Sequence, residues 1–251
     1  MPRLINDVRI SGIGELVRRI QEIRPKQPVF VGWRYGIAGD RYLLKLLSLK
    51  FEPGPGDVFH LELDFNRPHG IVEPRWEGLC RVYNCGVDVP TMVAYDETAR
   101  QHFFINAIHS MLSAIAIKEG LDLSKIDSVR DGLIKFGEKL EIEAASKSSA
   151  KFDVRVTYTV AEHPQLFLHL TDKRSAETFS TTIVELDEPI DGRRSATRIG
   201  IKPKSVVIHP RQTELGRATL RRYWERLNAA GYHSGSSDFI EIPFALIGAK
   251  P

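Results

Sequence analysis

The sequence predicts an α+β fold, with antiparallel sheets and helices segregated to one face. Three observations carry that prediction. Apolar and polar residues alternate with a period of two in several short segments, as half-buried strands require. Other segments repeat their apolar residues at helical spacing between recognisable caps. The two kinds come in runs, strands and then a helix, twice over, rather than in the strict alternation of a parallel α/β sheet. The chain has 251 residues, 42% hydrophobic and 27% charged. That is enough to bury a core without disulfides, as one large domain or as two.

Taken in order, residues 14–23 form a short helix, with Leu16, Val17, Ile20 and Ile23 on one side and Pro25 and Pro28 beyond its end. Residues 29–35 read as a strand. Asp40 is placed to cap a short helix carrying Leu43, Leu44, Leu46 and Leu47. A Pro/Gly loop follows at 53–56. In 58–65, Phe59, Leu61, Leu63 and Phe65 share one face, and His60, Glu62 and Asp64 the other. Shorter strands are expected at 79–84 and 91–95, antiparallel to the first. Asp96 caps a long helix to about Lys118, ended by Gly120. Ser124-x-x-Asp127 resembles a capping signal for a further helix through about Ala144.

The small, polar stretch 145–150 is the natural internal boundary. It divides the chain into 1–146 and 151–251, as separate domains or as halves of one core. Strands are expected at 152–160, 165–172 and 178–186, then a loop at 187–197. Strands at 198–201 and 205–209 lead into a helix over 213–229, ended by Gly231. A last strand spans 239–246, kept at a sheet edge by Pro243. Residues 91–112 and 205–227 both read as strand, polar connection and helix, so the halves could be similar. No residue-level identity supports a repeat.

The strongest functional signal is charge. Arg193, Arg194, Arg198, Lys202, Lys204, Arg211, Arg217, Arg221, Arg222 and Arg226 are ten cations within 34 positions that hold two acids, Glu214 and Glu225, while the whole chain carries only +3. An acidic partner is implied. On the 213–229 helix, Leu220, Tyr223, Trp224 and Leu227 make a core stripe, and Arg217, Arg221, Arg222 and Arg226 project from the other side. A solvated basic face is the plain alternative to a binding surface.

A second candidate is an uncharged polar stripe, His102, Asn106, His109 and Ser113, on the otherwise apolar 100–117 helix. It reads either as hydrogen-bonded packing or as a pocket wall offering imidazole for acid–base work. The seven-residue spacing of the two histidines does not suit a shared metal. His60, Glu62 and Asp64 are metal-binding types on one strand face, but they equally describe the polar side of a half-buried strand. Cys80 and Cys85 lack two further ligands and form no disulfide framework, so a reducing cytoplasm is expected. Gly12-x-Gly14 lacks the third small residue and the distal acid of a dinucleotide site. The loop at 233–238 brings Ser, His and Asp together only as neighbours, where a triad draws on separate elements. Neither a signal peptide nor a convincing membrane span is read; 101–117 lacks Asp, Glu, Lys and Arg but is short and contains His102, Asn106, His109, Ser110 and Ser113.

No cofactor or metal site is expected. The leading expectation is a non-enzymatic cytoplasmic protein that binds a macromolecular partner, with an acidic protein favoured, in the manner of an antitoxin-like or immunity-like inhibitor. A nucleic-acid binder using 193–226 is the first alternative, weakened because its only aromatics, Tyr223 and Trp224, lie on the core stripe. A hydrolase with a pocket near His102 and His109 is the second.

Overall fold

A computed structural model describes residues 7–24, 33–53, 58–76, 80–232 and 238–248. The fold is α+β, and the chain divides into two compact units, Met1–Gly137 and Glu138–Pro251.

The N-terminal unit runs β1 (Asp7–Ser11), α1 (Ile13–Ile23), α2 (Trp33–Ser48), β2 (Val58–Asp64), β3 (Val72–Trp76), β4 (Cys80–Gly86), α3 (Val89–Ala94), α4 (Glu97–Glu119) and α5 (Leu123–Phe136). Its sheet has the order β1-β2-β4-β3. The alternation expected in β2 is present: Phe59, Leu61 and Leu63 are buried and the intervening residues are half-exposed. The pairing is not as expected. β2 is parallel to both β1 and β4, and only β3 is antiparallel, to β4. The reason is β3, an element the sequence did not reveal. It carries the chain back between β2 and β4, so those two run the same way.

Helix α4 is the centre of this unit. Asp96 accepts from the Ala99 N–H at 2.7 Å, and Gly120 closes the other end with φ 67°, as its sequence predicts. Phe104, Ile105, Ile108, Met111, Leu112 and Ile115 are buried, and α4 packs against both α2 and α5. Tyr42 of α2 donates its hydroxyl to the Ile126 carbonyl of α5 at 3.0 Å, which ties those two helices directly.

Four further expectations are corrected here. Residues 33–35 begin α2 rather than end a strand, and Asp40 lies inside that helix rather than capping it. Residues 91–95 belong to α3 and its C-cap, because Asp88 accepts from the Thr91 N–H and Pro90 sits in the first turn. Helix α5 is capped by Asp122, not Ser124, and stops at Phe136, where Gly137 adopts φ 53°.

The C-terminal unit starts with a four-stranded antiparallel meander: β5 (Glu141–Ser148), β6 (Phe152–Thr159), β7 (Gln165–Asp172) and β8 (Thr178–Glu185). The stretch 145–150 is therefore strand and hairpin within this unit. Phe152, Val154, Val156, Tyr158, Leu166, Leu168 and Leu170 form its buried side. Next come α6 (Pro189–Ser195), β9 (Arg198–Ile201), β10 (Ser205–His209), α7 (Glu214–Arg222), α8 (Trp224–Ala229) and β11 (Ile240–Pro243). The last sheet is antiparallel with order β11-β10-β9, so Pro243 does end up on an edge strand.

Two expectations fail in this unit. Residues 189–195 are helical, started by Pro189. The 213–229 helix is broken at Tyr223 (φ −96°, ψ 2°) into α7 and α8. Leu220, Tyr223 and Leu227 are buried as expected, but Trp224, just past the break, is only half-buried. The resemblance between halves does not extend to their topology, since one sheet is mixed and the others are antiparallel.

Close packing of α6 on the meander depends on Gly192. A Cβ there would fall 2.4 Å from Cγ of Tyr158, which is itself buried. Gly192→Ala must push helix and ring apart. We expect a loss of about 1–3 kcal/mol, as for overpacked core sites, measured as a lower urea midpoint with an unchanged slope.

Candidate functional site

The basic run is divided by its partners. Asp191, in the first turn of α6, is fully buried. A buried carboxylate must be paired and hydrogen-bonded, and three groups do this. Tyr223 donates its hydroxyl to Oδ2 at 2.6 Å, Arg222 lies 3.1 Å from the same oxygen, and Arg194 lies 3.3 Å from Oδ1. The Tyr223 hydroxyl in turn accepts from the Asp187 N–H at 2.8 Å. Arg226 bonds Asp187 at 2.9 Å and the Glu185 carbonyl at 3.0 Å, and Lys202 pairs with Glu241 at 2.9 Å. Four of the ten cations are thus engaged in holding the unit together.

The other six are not. Among the described residues, Arg193, Arg198, Lys204, Arg211, Arg217 and Arg221 form no ion pair. Arg193 and Arg211 join Arg194 around a cavity of about 490 Å³, where Thr197 adds a hydroxyl and Ile190 and Leu215 add apolar walls. No acidic residue among the described residues lines it. Arg193 and Arg211 are exposed, and Leu215 is 54% exposed. The backbone fixes this arrangement: the Arg211 N–H donates to the Arg194 carbonyl at 2.8 Å, which brings the two parts of the run together.

Two members of the uncharged stripe on α4, Asn106 and His109, meet α5. His109 Nε2 lies 2.8 Å from Asp127, and Asn106 accepts from Arg130 Nε at 2.8 Å. Ser113 is 3.4 Å from His109. The His109 and Asn106 contacts join neighbouring helices, the Ser113 contact lies within α4, and neither the arginine cavity nor the sheet cavity described below is lined by His102, Asn106 or His109. The β2 face is likewise taken up by ion pairs: Arg75 with Glu62, and Arg67 with Asp64 at 3.0 Å. No group of three or more His, Cys, Asp or Glu among the described residues is arranged to hold a metal. Cys85 is buried, and burial pushes its thiol up to about 12. His69 stacks on Phe103 and accepts the Asp88 N–H at Nδ1, and its burial lowers its pKa. Gly12 caps α1 with φ 84°, 3.1 Å from Leu63 at its Cβ position, which explains that glycine without a nucleotide. Most of the 233–238 loop lies outside the described residues. No described helix is long and apolar enough to cross a membrane.

One polar constellation was not read from the sequence. Across the open face of the meander, Glu141 of β5, Thr157 of β6, His169 of β7 and Ser180 of β8 form a continuous chain. Thr157 donates to Glu141 Oε2 at 2.5 Å, His169 Nε2 is 2.7 Å from that oxygen, and His169 Nδ1 is 2.8 Å from Ser180 Oγ. A cavity of about 500 Å³ opens beside it, lined by His169, Arg155, Lys147 and Thr171 among others. The only sequence trace of this chain is the period-two polar face of each strand. Cross-strand register, which brings the four together, is not written locally.

No family model matches the chain, and neither a curated protein nor a solved structure matches it.

Tyr223 supplies the most direct test of the Asp191 network. Tyr223→Phe removes a hydrogen bond to a charged group and leaves the Asp187 N–H without its acceptor. We expect a loss of about 1.5–3 kcal/mol in urea denaturation. Burial, followed by the Asp191 hydrogen bond, raises the Tyr223 phenol from 10.0 to about 12. A raised acid pKa means stability that is intact below pH 10 and lost as pH rises through 12. Phenolate absorbance of the folded protein should therefore contain a late-titrating component that Tyr223→Phe removes.

Proposed function

We propose that the chain binds an acidic macromolecular partner, a protein surface, through the arginine cavity and the unpaired cations of residues 193–221. The observation that carries this reading is the cavity itself: Arg193, Arg194 and Arg211 around one concavity with no acid in its lining. Charges held without internal partners are available to steer and fix an anionic ligand. Arg194 is held in place by Asp191, so part of the cationic rim is set before any partner arrives.

Exposed Leu215 beside Arg211 favours a protein over a nucleic acid. An arginine next to an exposed aliphatic side chain suits a protein interface. A single-stranded nucleic acid calls for stacking aromatics, whereas Tyr223 is buried and Trp224 half-buried. An antitoxin-like or immunity-like inhibitor of the cytoplasm is a class of binder with these features. Duplex nucleic acid, held by phosphate contacts alone, is the second reading.

The test is capture of partners from the native host by the wild type and by an Arg193→Glu, Arg211→Glu double variant. Neither arginine is paired, so folding should be unchanged, unlike reversal at Arg222, which would unseat Asp191. A dominant protein that the variant fails to retain, with association weakening as salt rises, is the expected result. Equal capture by both proteins would sink the reading. Loss of co-purifying nucleic acid instead of protein would transfer it to the alternative.

A further inference from the structure

We propose that the open face of the β5–β8 meander carries a serine-nucleophile site that cleaves small carboxylic esters bearing an anionic group. This site is separate from the arginine cavity and does not depend on the partner-binding reading.

The hydrogen-bond chain fixes the protonation pattern. Glu141 is an acceptor, so the His169 nitrogen 2.7 Å from it, Nε2, carries the imidazole proton. Thr157 sends its single hydroxyl proton to Glu141 at 2.5 Å and can only accept from Nε2, at 2.9 Å. Nδ1 is then left with its lone pair, and Ser180 Oγ stands 2.8 Å away as donor. Glutamate, imidazole and serine hydroxyl follow one another in the order that a general base activating a serine requires, on opposite ring nitrogens. They come from three different strands. The His169 side chain is only 13% exposed, and Thr157 is buried, so the ring has little freedom to turn away. Ser180, by contrast, is exposed on the edge strand β8, where a substrate can reach it.

The cavity supplies the remaining groups. Arg155 is paired directly with His169 across β6 and β7, lines the cavity, and makes no ion pair among the described residues. Within this proposal its guanidinium is assigned the part of donor to the oxyanion that develops on attack. Lys147 also lines the cavity without an ion pair, while Asp153 is neutralised by Lys173 at 3.0 Å. Of the charged groups that line the cavity, two cations, Lys147 and Arg155, stand against one acid, Asp153, and this balance favours an ester with an anionic substituent.

The reaction balances with water alone. Ser180 Oγ bonds to the acyl carbon as its proton passes to His169 Nδ1. The carbon–oxygen bond to the leaving alcohol breaks, and that oxygen takes the proton back. Water then attacks the acyl-serine, gives a proton to Nδ1, and releases the acid as Ser180 Oγ recovers its hydrogen. Glu141 acts through His169 and is a positioning residue.

The experiment uses the full chain with a fluorophosphonate probe and two chromogenic substrates, 4-nitrophenyl acetate and 4-nitrophenyl hemisuccinate. The wild type should take up one label, mapped to Ser180, and hydrolyse the hemisuccinate faster than the acetate. Ser180→Ala should abolish both labelling and turnover. His169→Asn should reduce them by about 100-fold or more, the usual contribution of a general base. Lys147→Ala should erase the preference for the hemisuccinate, and Glu141→Gln should lower kcat while leaving KM within about twofold, as loss of a transition-state-only interaction does. Ser180 unlabelled in the folded wild type would overturn the proposal. So would wild-type labelling and turnover in His169→Asn.

Discussion

The C-terminal unit is organised around one buried negative charge. Asp191 has no exposed surface, so its position is tolerable only while Tyr223, Arg222 and Arg194 surround it. That requirement connects elements far apart in sequence. It holds α6 against the junction of α7 and α8, where the Tyr223 phenol reaches Asp191 and the Asp187 N–H together. Gly192, next in sequence, lets the same helix lie directly on the Tyr158 ring. A charge and a missing side chain, side by side, thus anchor α6 to both of its neighbours.

This network also gives the basic run its meaning. Summed over the sequence, ten cations look like one surface. In space, Arg194, Arg222, Arg226 and Lys202 are committed to internal acids, and the six others form no ion pair among the described residues. Arg194 belongs to both sets of contacts, since it bonds Asp191 and lines the arginine cavity. The same buried acid that stabilises the unit therefore orients part of its cationic rim.

The sequence was legible where a signal is local. Caps at Asp96 and Gly120, the alternation of β2 and the hairpin strands β6 to β8 depend on residues a few positions apart, and all appear where expected. It was misleading where distant packing overrides local preference. Asp40 resembles a cap but lies within α2, and residues 189–195 look like a charged loop but form a helix around a buried acid. For the functional residues, composition located the basic run but could not tell paired from unpaired arginines. The histidine stripe on α4 was visible as a pattern, yet its partners, Asp127 and Arg130, lie on another helix. The Glu141–His169–Ser180 chain exists only through register across four strands, so no local motif announces it.

The meander and the mixed N-terminal sheet also differ in the entropy of their first contacts. In the meander each strand pairs with the next one along the chain, so every pairing closes only a short hairpin. In the N-terminal unit the parallel β1–β2 pair must enclose both α1 and α2 before its first ladder bond forms. Loop closure is thus a small cost repeated three times in the meander, whereas the β1–β2 pair of the N-terminal sheet carries a larger one. Local hairpins let the meander assemble stepwise, whereas the mixed sheet needs its intervening helices gathered in first.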